Sequence, residues 1–437
     1  VFDRPQQLAE QILSTCQGKD IWVAYSGGVD SHVLLHLLAT QLDTKSSTIK
    51  AIHIDHGLHS ESSKWTQHCL AIAEKLNIVC QDIKADVNNI ESVGVEAAAR
   101  EARYTAIAQY LPENALLLTA QHQQDQSETF LLQLLRGAGP KGLSSMASQS
   151  TLMGIQLYRP FLAISKKEIL AYAKQHQLNW LDDPSNVETR WNRNYIRHEI
   201  WPVIEQRWSS AAKTISRSAT LCAEADELMT ELAKLDALTI DFEQQSFSLS
   251  VSKLLGLTES RRRNVLRHLI STLALPLPSA NVLQRVINEA CLAKEDGIPL
   301  VEWQGVEVRR YRNRLYIKAP MNSFDVSFSL QINDRHELAI GEGKILAWKT
   351  SQQGLTDDII QEGLQLRFRQ GGEKIKIHGQ HHSLKHLMQE WAVPPWQRDR
   401  IPLLFCEDEL LVVVGYALSD AVSGTKQQRY IPIIKQA

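Results

Sequence analysis

An α/β fold, a parallel sheet with helices on both faces, is predicted for the first 215 residues. Three observations carry it. Short apolar, β-branched runs recur at 21–25, 49–54, 78–83, 115–119 and 155–158. Stretches of helical character lie between them, at about 5–16, 31–41, 61–76, 94–110, 126–135 and 165–175. Polar or Gly-rich clusters follow several of the strands, and ligands of such sheets bind beyond the strands' carboxyl ends.

The first strand, Ile21 to Tyr25, has the β-branched and aromatic content of a central parallel strand. Ser26, Gly27 and Gly28 turn the chain, and His32 to Ala39 continue as an apolar helix. After the second strand comes His53-Ile54-Asp55-His56-Gly57-Leu58-His59, polar enough to contact a nucleotide, with a metal site and plain loop filling as the competing readings. On the next helix Glu96, Arg100, Arg103 and Tyr104 fall on one side, either a solvated ion-paired face or a cationic one that meets phosphate. The fourth strand is followed by His122-Gln123-Gln124-Asp125-Gln126-Ser127-Glu128-Thr129. Asp125 and Glu128, three apart at a helix start, are neighbours that could hold Mg²⁺ or an ammonium group, or Asp125 could cap the helix with Glu128 completing a capping box, or both.

Residues 216–320 read as a mainly helical domain, with Ala219 to Leu235 and Ala280 to Leu292 at helical spacing and a hairpin over 299–318. From 321 to 437 short strand-like runs dominate, with one amphipathic helix at Ser383 to Glu390 stopped by Pro394 and Pro395, which reads as a small α+β domain. A length of 437 residues suits two or three domains. The composition, 43% hydrophobic and 22% charged, is that of a globular protein, and neither a membrane span nor a signal-peptide core is visible, so cytoplasmic residence and no membrane partner are expected. The 6 cysteines are scattered and form no Cys-x-x-Cys pair. A formal net charge of -2 does not announce a nucleic-acid binder, so local patches must carry that argument.

The strand–turn–helix Ser26-Gly27-Gly28-Val29-Asp30-Ser31 presents bare backbone N–H groups and a positive helix end in one place, which suits phosphate. It lacks the Lys of a P-loop. The segment resembles the PP-loop of the ATP pyrophosphatase superfamily. That resemblance implies ATP, with Ser26, Gly27, Gly28, Val29, Asp30 and Ser31 on the pyrophosphate, Asp30 and Asp125 on Mg²⁺, and Asp55, His56 and His122 beside the nucleotide. One carboxylate plus phosphate oxygens is the usual magnesium environment.

The ordered series Ser26–Ser31, Asp55-His56-Gly57, Glu96 to Tyr104, His122 to Thr129, Arg136-Gly137, Arg159-Pro160-Phe161, Asp182-Asp183-Pro184-Ser185-Asn186 and Arg193-Asn194-Tyr195-Ile196-Arg197 resembles bacterial tRNA(Ile)-lysidine synthetases. The resemblance runs on through Arg367, Arg369-Gln370-Gly371-Gly372 and Leu384-Lys385, so it spans nearly the whole chain. One departure is Gln124, where the family commonly has a first aspartate before Asp125. The resemblance implies ligation of free L-lysine to carbon 2 of the wobble cytidine of the isoleucine tRNA with anticodon CAU, through an adenylated intermediate. Asp30, Arg100, Arg103, Asp125 and Glu128 are then the catalytic candidates.

Splayed RNA bases are read on aromatic and Arg surfaces. Arg190, Arg193, Asn194 and Arg197, and further on Arg367, Arg369 and Lys385, are the tRNA-binding candidates, with added basic groups at Arg261, Arg262, Arg263, Arg267, Arg309, Arg310, Arg312, Arg314, Lys374 and Lys376 and an aromatic at Trp396. Two other readings stand beside this one: a thiolating PP-loop enzyme acting on tRNA, and a non-catalytic ATP-dependent tRNA-binding protein. A homodimer is compatible with the sequence, which does not itself report oligomeric state.

Overall fold

The computed structural model describes residues 5–41, 49–55, 57, 62–85, 95–181, 187–294, 297–422 and 428–436. The chain divides into two compact units, Val1–Leu232 and Ala233–Ala437.

The first unit begins α1 (Pro5–Thr15), β1 (Asp20–Ala24), α2 (Val29–Gln41), β2 (Ile49–Asp55), α3 (Ser62–Lys75) and β3 (Val79–Lys84). It continues α4 (Val95–Tyr110), β4 (Ala115–Leu118), α5 (Gln123–Leu135), α6 (Pro140–Leu143), β5 (Gln149–Leu152), β6 (Ile155–Tyr158) and α7 (Lys166–Gln175). The six strands run in the order β3-β2-β1-β4-β6-β5. All neighbours are parallel except β5, which pairs antiparallel with β6. The five expected parallel strands are all present. The added edge strand β5 is a half-exposed Gln-Ser-Thr-Leu run whose composition gives no strand signal.

The two-residue period of the strands sorts this core into two layers. Ile21, Val23, Leu116 and Leu118 face α2 and α7, packing with Leu34, Leu38, Ile169 and Tyr172. Trp22, Leu117 and Leu157 face the other way, onto Tyr104 and Ile107 of α4. Each fully buried side chain of this kind contributes about 1.5–3 kcal/mol. With strand order 3-2-1-4, connections leave β1 and β4 in opposite directions, opening the crevice beyond their carboxyl ends where such sheets take ligands. The unit closes with α8 (Asn192–Tyr195), a wider π-type turn at Ile196–Ile200, α9 (Trp201–Arg207) and most of α10 (Ala211–Thr239).

The second unit holds a four-stranded antiparallel sheet in the order β7-β10-β9-β8 (Ser248–Ser250, Arg314–Lys318, Val306–Tyr311, Leu300–Trp303). Helices at Val251–Gly256, Glu259–Thr272 and Ala280–Arg285 cover it. The expected hairpin is β9–β10, turning at Arg312 with φ 52°. A second sheet runs in the order β11 (Leu330–Ile332), β14 (Leu364–Arg367), β17 (Leu403–Cys406), β18 (Glu409–Val413), β15 (Lys374–Ile377) and β16 (Gln380–Ser383), with β19 (Ala417–Leu418) pairing β18. With a three-stranded sheet of β12 (Leu338–Ala339), β13 (Lys344–Ser351) and β20 (Arg429–Gln436) it forms the C-terminal α+β part. Among the described residues no helix is long and apolar enough to cross a membrane.

The arginine runs of this unit, read from sequence as RNA-facing patches, are engaged within the protein. Arg310 is buried and donates to the carbonyls of Cys291 (2.8 Å) and Ala293 (2.6 Å). Arg262 donates to Leu257 O at 2.8 Å, Arg261 to the buried Asp236 at 3.1 Å, and Arg314 to Ser248 Oγ at 2.7 Å. Arg309 and Lys318 converge on Glu307 (2.9 and 3.0 Å) and lie over the Trp396 ring at 5.4 and 5.6 Å. Buried backbone carbonyls and a buried carboxylate need donors. Residue type alone does not separate that use from a nucleic-acid groove.

Candidate active site at the carboxyl ends of β1 and β4

The β1–α2 loop is built by its small residues. Gly27 takes φ +82°, and a Cβ there would lie 2.9 Å from Cys69 Sγ, so both backbone conformation and space require glycine. The Gly27 carbonyl accepts from Leu181 N at 3.0 Å. Ser31, buried at the start of α2, accepts from Ser26 N (3.2 Å) and donates to Gly28 O (3.0 Å), and its hydroxyl is 3.1 Å from that of Ser26. The loop is thereby held as a closed turn ahead of a long helix, with Val29 opening that helix and Asp30 in its first turn.

The fourth-strand motif folds against this loop. His122 is the N-cap of α5, its ring accepting from Asp125 N while Asp125 accepts from His122 N at 3.0 Å, a reciprocal capping box. His122 Nε2 is 3.7 Å from Asp30 Oδ1 and 3.4 Å from Asp125 Oδ2, so one imidazole spans two carboxylates from two strand ends. The helix is therefore capped by His122 with Asp125 at its third position, not by Asp125 with Glu128, because it begins at Gln123, ahead of Asp125.

Glu128 is fully buried, and Arg193 and Arg197 from α8 and the π-type turn come to it. Arg197 donates through Nε to Glu128 Oε1 (2.8 Å) and through Nη2 to Oε2 (2.7 Å), a two-pronged contact, and Nη2 reaches Asp125 Oδ1 at 3.0 Å. Arg193 bonds Glu128 Oε2 (3.1 Å) and Asp125 Oδ1 (3.0 Å). Gln124, in the place of the absent aspartate, donates to Glu128 Oε1 at 3.3 Å. Burial pushes the Asp125 carboxyl up, but His122, Arg193 and Arg197 outweigh it and hold the group below its ordinary range. Burial works against the Arg197 charge, and the Glu128 hydrogen bonds more than restore it. The arginines expected on RNA and the carboxylates expected at lysine thus form one cluster.

Lys166, at the start of α7, was not singled out by sequence reasoning. Its ammonium is 2.6 Å from Asp30 Oδ1, where a cation was expected. The available signal was the Ser165-x-x-Glu168 capping box, which places Lys166 at the first position of the helix. Among the described residues no group of three His, Cys, Asp or Glu side chains could hold a metal on its own. A partly exposed Asp30 beside a phosphate-cradling turn nevertheless fits Mg²⁺, which takes one or two carboxylates and completes its shell with phosphate and water.

Other predicted residues are placed as follows. Asp55, at the end of β2, accepts from Gly57 N at 2.9 Å. His56 and Asp182–Asn186 lie outside the described residues. Arg100 lies 4.9 Å over the Tyr104 ring, and Arg103 acts electrostatically on His53. Arg190 pairs with Glu188 at 2.6 Å and covers Trp191, while Asn194 donates to Glu188 O at 3.2 Å. In the second unit Arg367 covers Phe405 at 4.8 Å, Arg369 pairs with Asp399 at 2.8 Å, and Lys385 is exposed. Burial pushes the Cys16 and Cys80 thiols up to about 11 and Cys69 up to about 12, which disfavours thiolate chemistry.

A glycine turn for phosphate, with cations and carboxylates at the switch point of a parallel sheet, defines a PP-loop ATP-using enzyme. The chain matches the PP-loop domain model over residues 3–204, the TilS substrate binding domain over 249–316 and the TilS substrate C-terminal domain over 364–433. It is 39% identical over 428 residues to a tRNA(Ile)-lysidine synthase of Coxiella burnetii, covering 97% of this chain and 95% of that one. It is 38% identical to one of Serratia proteamaculans, covering 95% and 94%. The same identity, with 95% and 96% covered, relates it to one of Legionella pneumophila strain Paris. The chain belongs to the tRNA(Ile)-lysidine synthase family and is an ATP-dependent ligase.

Proposed function

We propose that the protein ligates free L-lysine to carbon 2 of the wobble cytidine of isoleucine tRNA with anticodon CAU. The observation that carries this reading is the single cluster in which Asp30, His122, Asp125, Glu128, Arg193 and Arg197 meet beside the phosphate turn.

The cytosine carbonyl oxygen is a poor leaving group until it carries a phosphoryl group. Attack on the α-phosphorus of ATP gives an adenylated tRNA and frees pyrophosphate. The amides of the Ser26–Ser31 turn receive the departing pyrophosphate, and Arg100, Arg103 and Lys166 stabilise charge on the phosphoryl oxygens. Asp30, with Asp125 alongside, would hold Mg²⁺, which would supply further neutralisation of that charge. In the second step the lysine ε-amine attacks carbon 2 and AMP leaves. The ammonium groups of lysine need anionic partners, and the carboxylates of Asp125 and Glu128, gripped by Arg193 and Arg197, provide them. His122, whose Nε2 lies between the carboxylates of Asp30 and Asp125, orients both beside the reacting groups.

Three segments share the work: 1–215 performs the chemistry, while 216–320 and 321–437 bind the tRNA body. Arg190, Asn194, Arg367, Arg369 and Lys385 offer charge and stacking surfaces for it. The test is incubation of the pure protein with ATP, Mg²⁺, labelled lysine and unmodified tRNA, then nucleoside digestion and mass spectrometry. Lysine on the wobble cytidine, dependent on ATP, is the expected product. Cleavage of ATP to AMP with no lysine transferred would overturn the choice of nucleophile.

A further inference from the structure

Two buried polar side chains lie side by side at the crevice with hydrogen-bonding groups unused. Thr119, directly after β4, is 5% exposed, and its hydroxyl has no partner. Arg159, directly after β6, is 7% exposed, and its Nε is buried and unpartnered. The parallel register aligns them: Leu118 stands opposite Tyr158, and Thr119 N donates to Tyr158 O at 2.9 Å. Strand alternation places both on the α4 side of the sheet. Leu117 and Leu157 pack there against Tyr104, whereas Leu118 and Tyr158 belong to the opposite layer.

Arg159 has no carboxylate partner among the described residues. Its recorded hydrogen bonds run from Nη1 to Ala147 O (2.8 Å) and Ser150 Oγ (2.9 Å), both neutral acceptors. Buried cations are ordinarily paired, because desolvation is otherwise uncompensated. Arg100, over Tyr104, adds a second positive charge close enough to act on Arg159. Burial foremost, with Arg100 adding to it, holds the Arg159 guanidinium below its ordinary range. Two guanidinium groups and a free hydroxyl suit a group with several anionic oxygens, which favours a phosphate over a single carboxylate.

We propose that Thr119 and Arg159 form a phosphate-holding subsite at the carboxyl ends of β4 and β6, distinct from the Ser26–Ser31 turn on β1. Arg159 positions the phosphate with its unpartnered Nε–H, and the Thr119 hydroxyl donates to the same oxygens. The phosphate is either a phosphoryl group of ATP or a phosphodiester flanking the reacting nucleotide. This inference rests on the proposed ligation, whose own failure would show as a wild-type protein that makes no lysidine.

The test uses the full-length wild type, Thr119→Val and Arg159→Gln. Thr119→Val removes the hydroxyl while keeping shape, so it separates ligand loss from misfolding. Affinities are read for a non-hydrolysable ATP analogue by calorimetry and for unmodified tRNA by filter binding across a salt series. A loss of about tenfold or more for the analogue in both variants assigns the phosphate to ATP. A comparable loss for tRNA, with the Arg159→Gln salt slope shallower by about 1, assigns it to the RNA. Both affinities unchanged within twofold in a folded Thr119→Val variant would overturn the subsite, as would a change in melting temperature alone.

Discussion

Arginines meet carboxylates in both units, and the two meetings differ in kind. In the first unit Arg193 and Arg197 grip Asp125 and Glu128 beside a crevice, where a substrate ammonium could compete for the same oxygens. In the second unit Glu307, 2% exposed, is enclosed by Arg309 and Lys318 under the Trp396 ring, which also meets Tyr316 edge-on at 5.3 Å. Burial pushes the Glu307 carboxyl up, and the hydrogen bonds from Arg309 and Lys318 hold it below its ordinary range. The first network borders the crevice beside the phosphate turn, and the second fastens a sheet to the C-terminal part. Equal richness in arginine therefore means different things in the two regions.

That contrast can be broken by experiment. Arg197→Ala should lower lysidine formation by about 100-fold or more, since it removes the two-pronged partner of Glu128 and part of the site's preorganised charge. An activity loss below fivefold would make the first network structural like the second. Glu307→Ala should cost about 3 kcal/mol of stability in urea denaturation, because breaking a buried pair leaves charge uncompensated. Its affinity for an ATP analogue should not move, and a loss there would erase the distinction.

Acid sharpens the comparison from another side. Burial foremost lowers the pKa of His32, next to the phosphate turn, to about 4. An unfolded histidine titrates near 6.5, so this cost is absent above that pH. As pH falls from 6.5 towards 4 the unfolded chain binds a proton the native one refuses, and stability drops. At pH 5 the loss is about 2 kcal/mol. His32→Gln should flatten this part of the stability–pH curve, and an unaltered curve would rule out the buried neutral imidazole. The smallest effect is at the turn itself. Gly27→Ala forces a side chain into φ +82° and against Cys69, a strain of order 1–3 kcal/mol, so the KM for ATP should rise roughly tenfold. Unchanged ATP kinetics would show that the turn adapts.

Much of this was legible in the sequence, for identifiable reasons. The central strands announced themselves because their buried runs are apolar, as in Ile21–Val23 and Ala115–Leu118, and the phosphate turn because its glycines and serines follow one of them. The register of Asp125 and Glu128 followed from helical spacing. What escaped depends on long-range packing. Lys166 reaches Asp30 across 136 positions, and Arg193 and Arg197 reach Glu128 across 65 and 69. No local pattern distinguishes those arginines from Arg310, whose guanidinium satisfies backbone carbonyls. The edge strand β5 escaped because half-exposed polar residues carry no two-residue period.

The most direct measurement is a two-stage assay of Glu128→Gln. The first stage reads AMP attached to tRNA with ATP and no lysine, and the second reads lysidine after lysine is added. The account predicts that adenylated tRNA still forms, which also shows the variant is folded, while lysine transfer falls at least about 100-fold. Lysine transfer at the wild-type rate from that intermediate would contradict the assignment of the Asp125–Glu128 cluster to the amino acid.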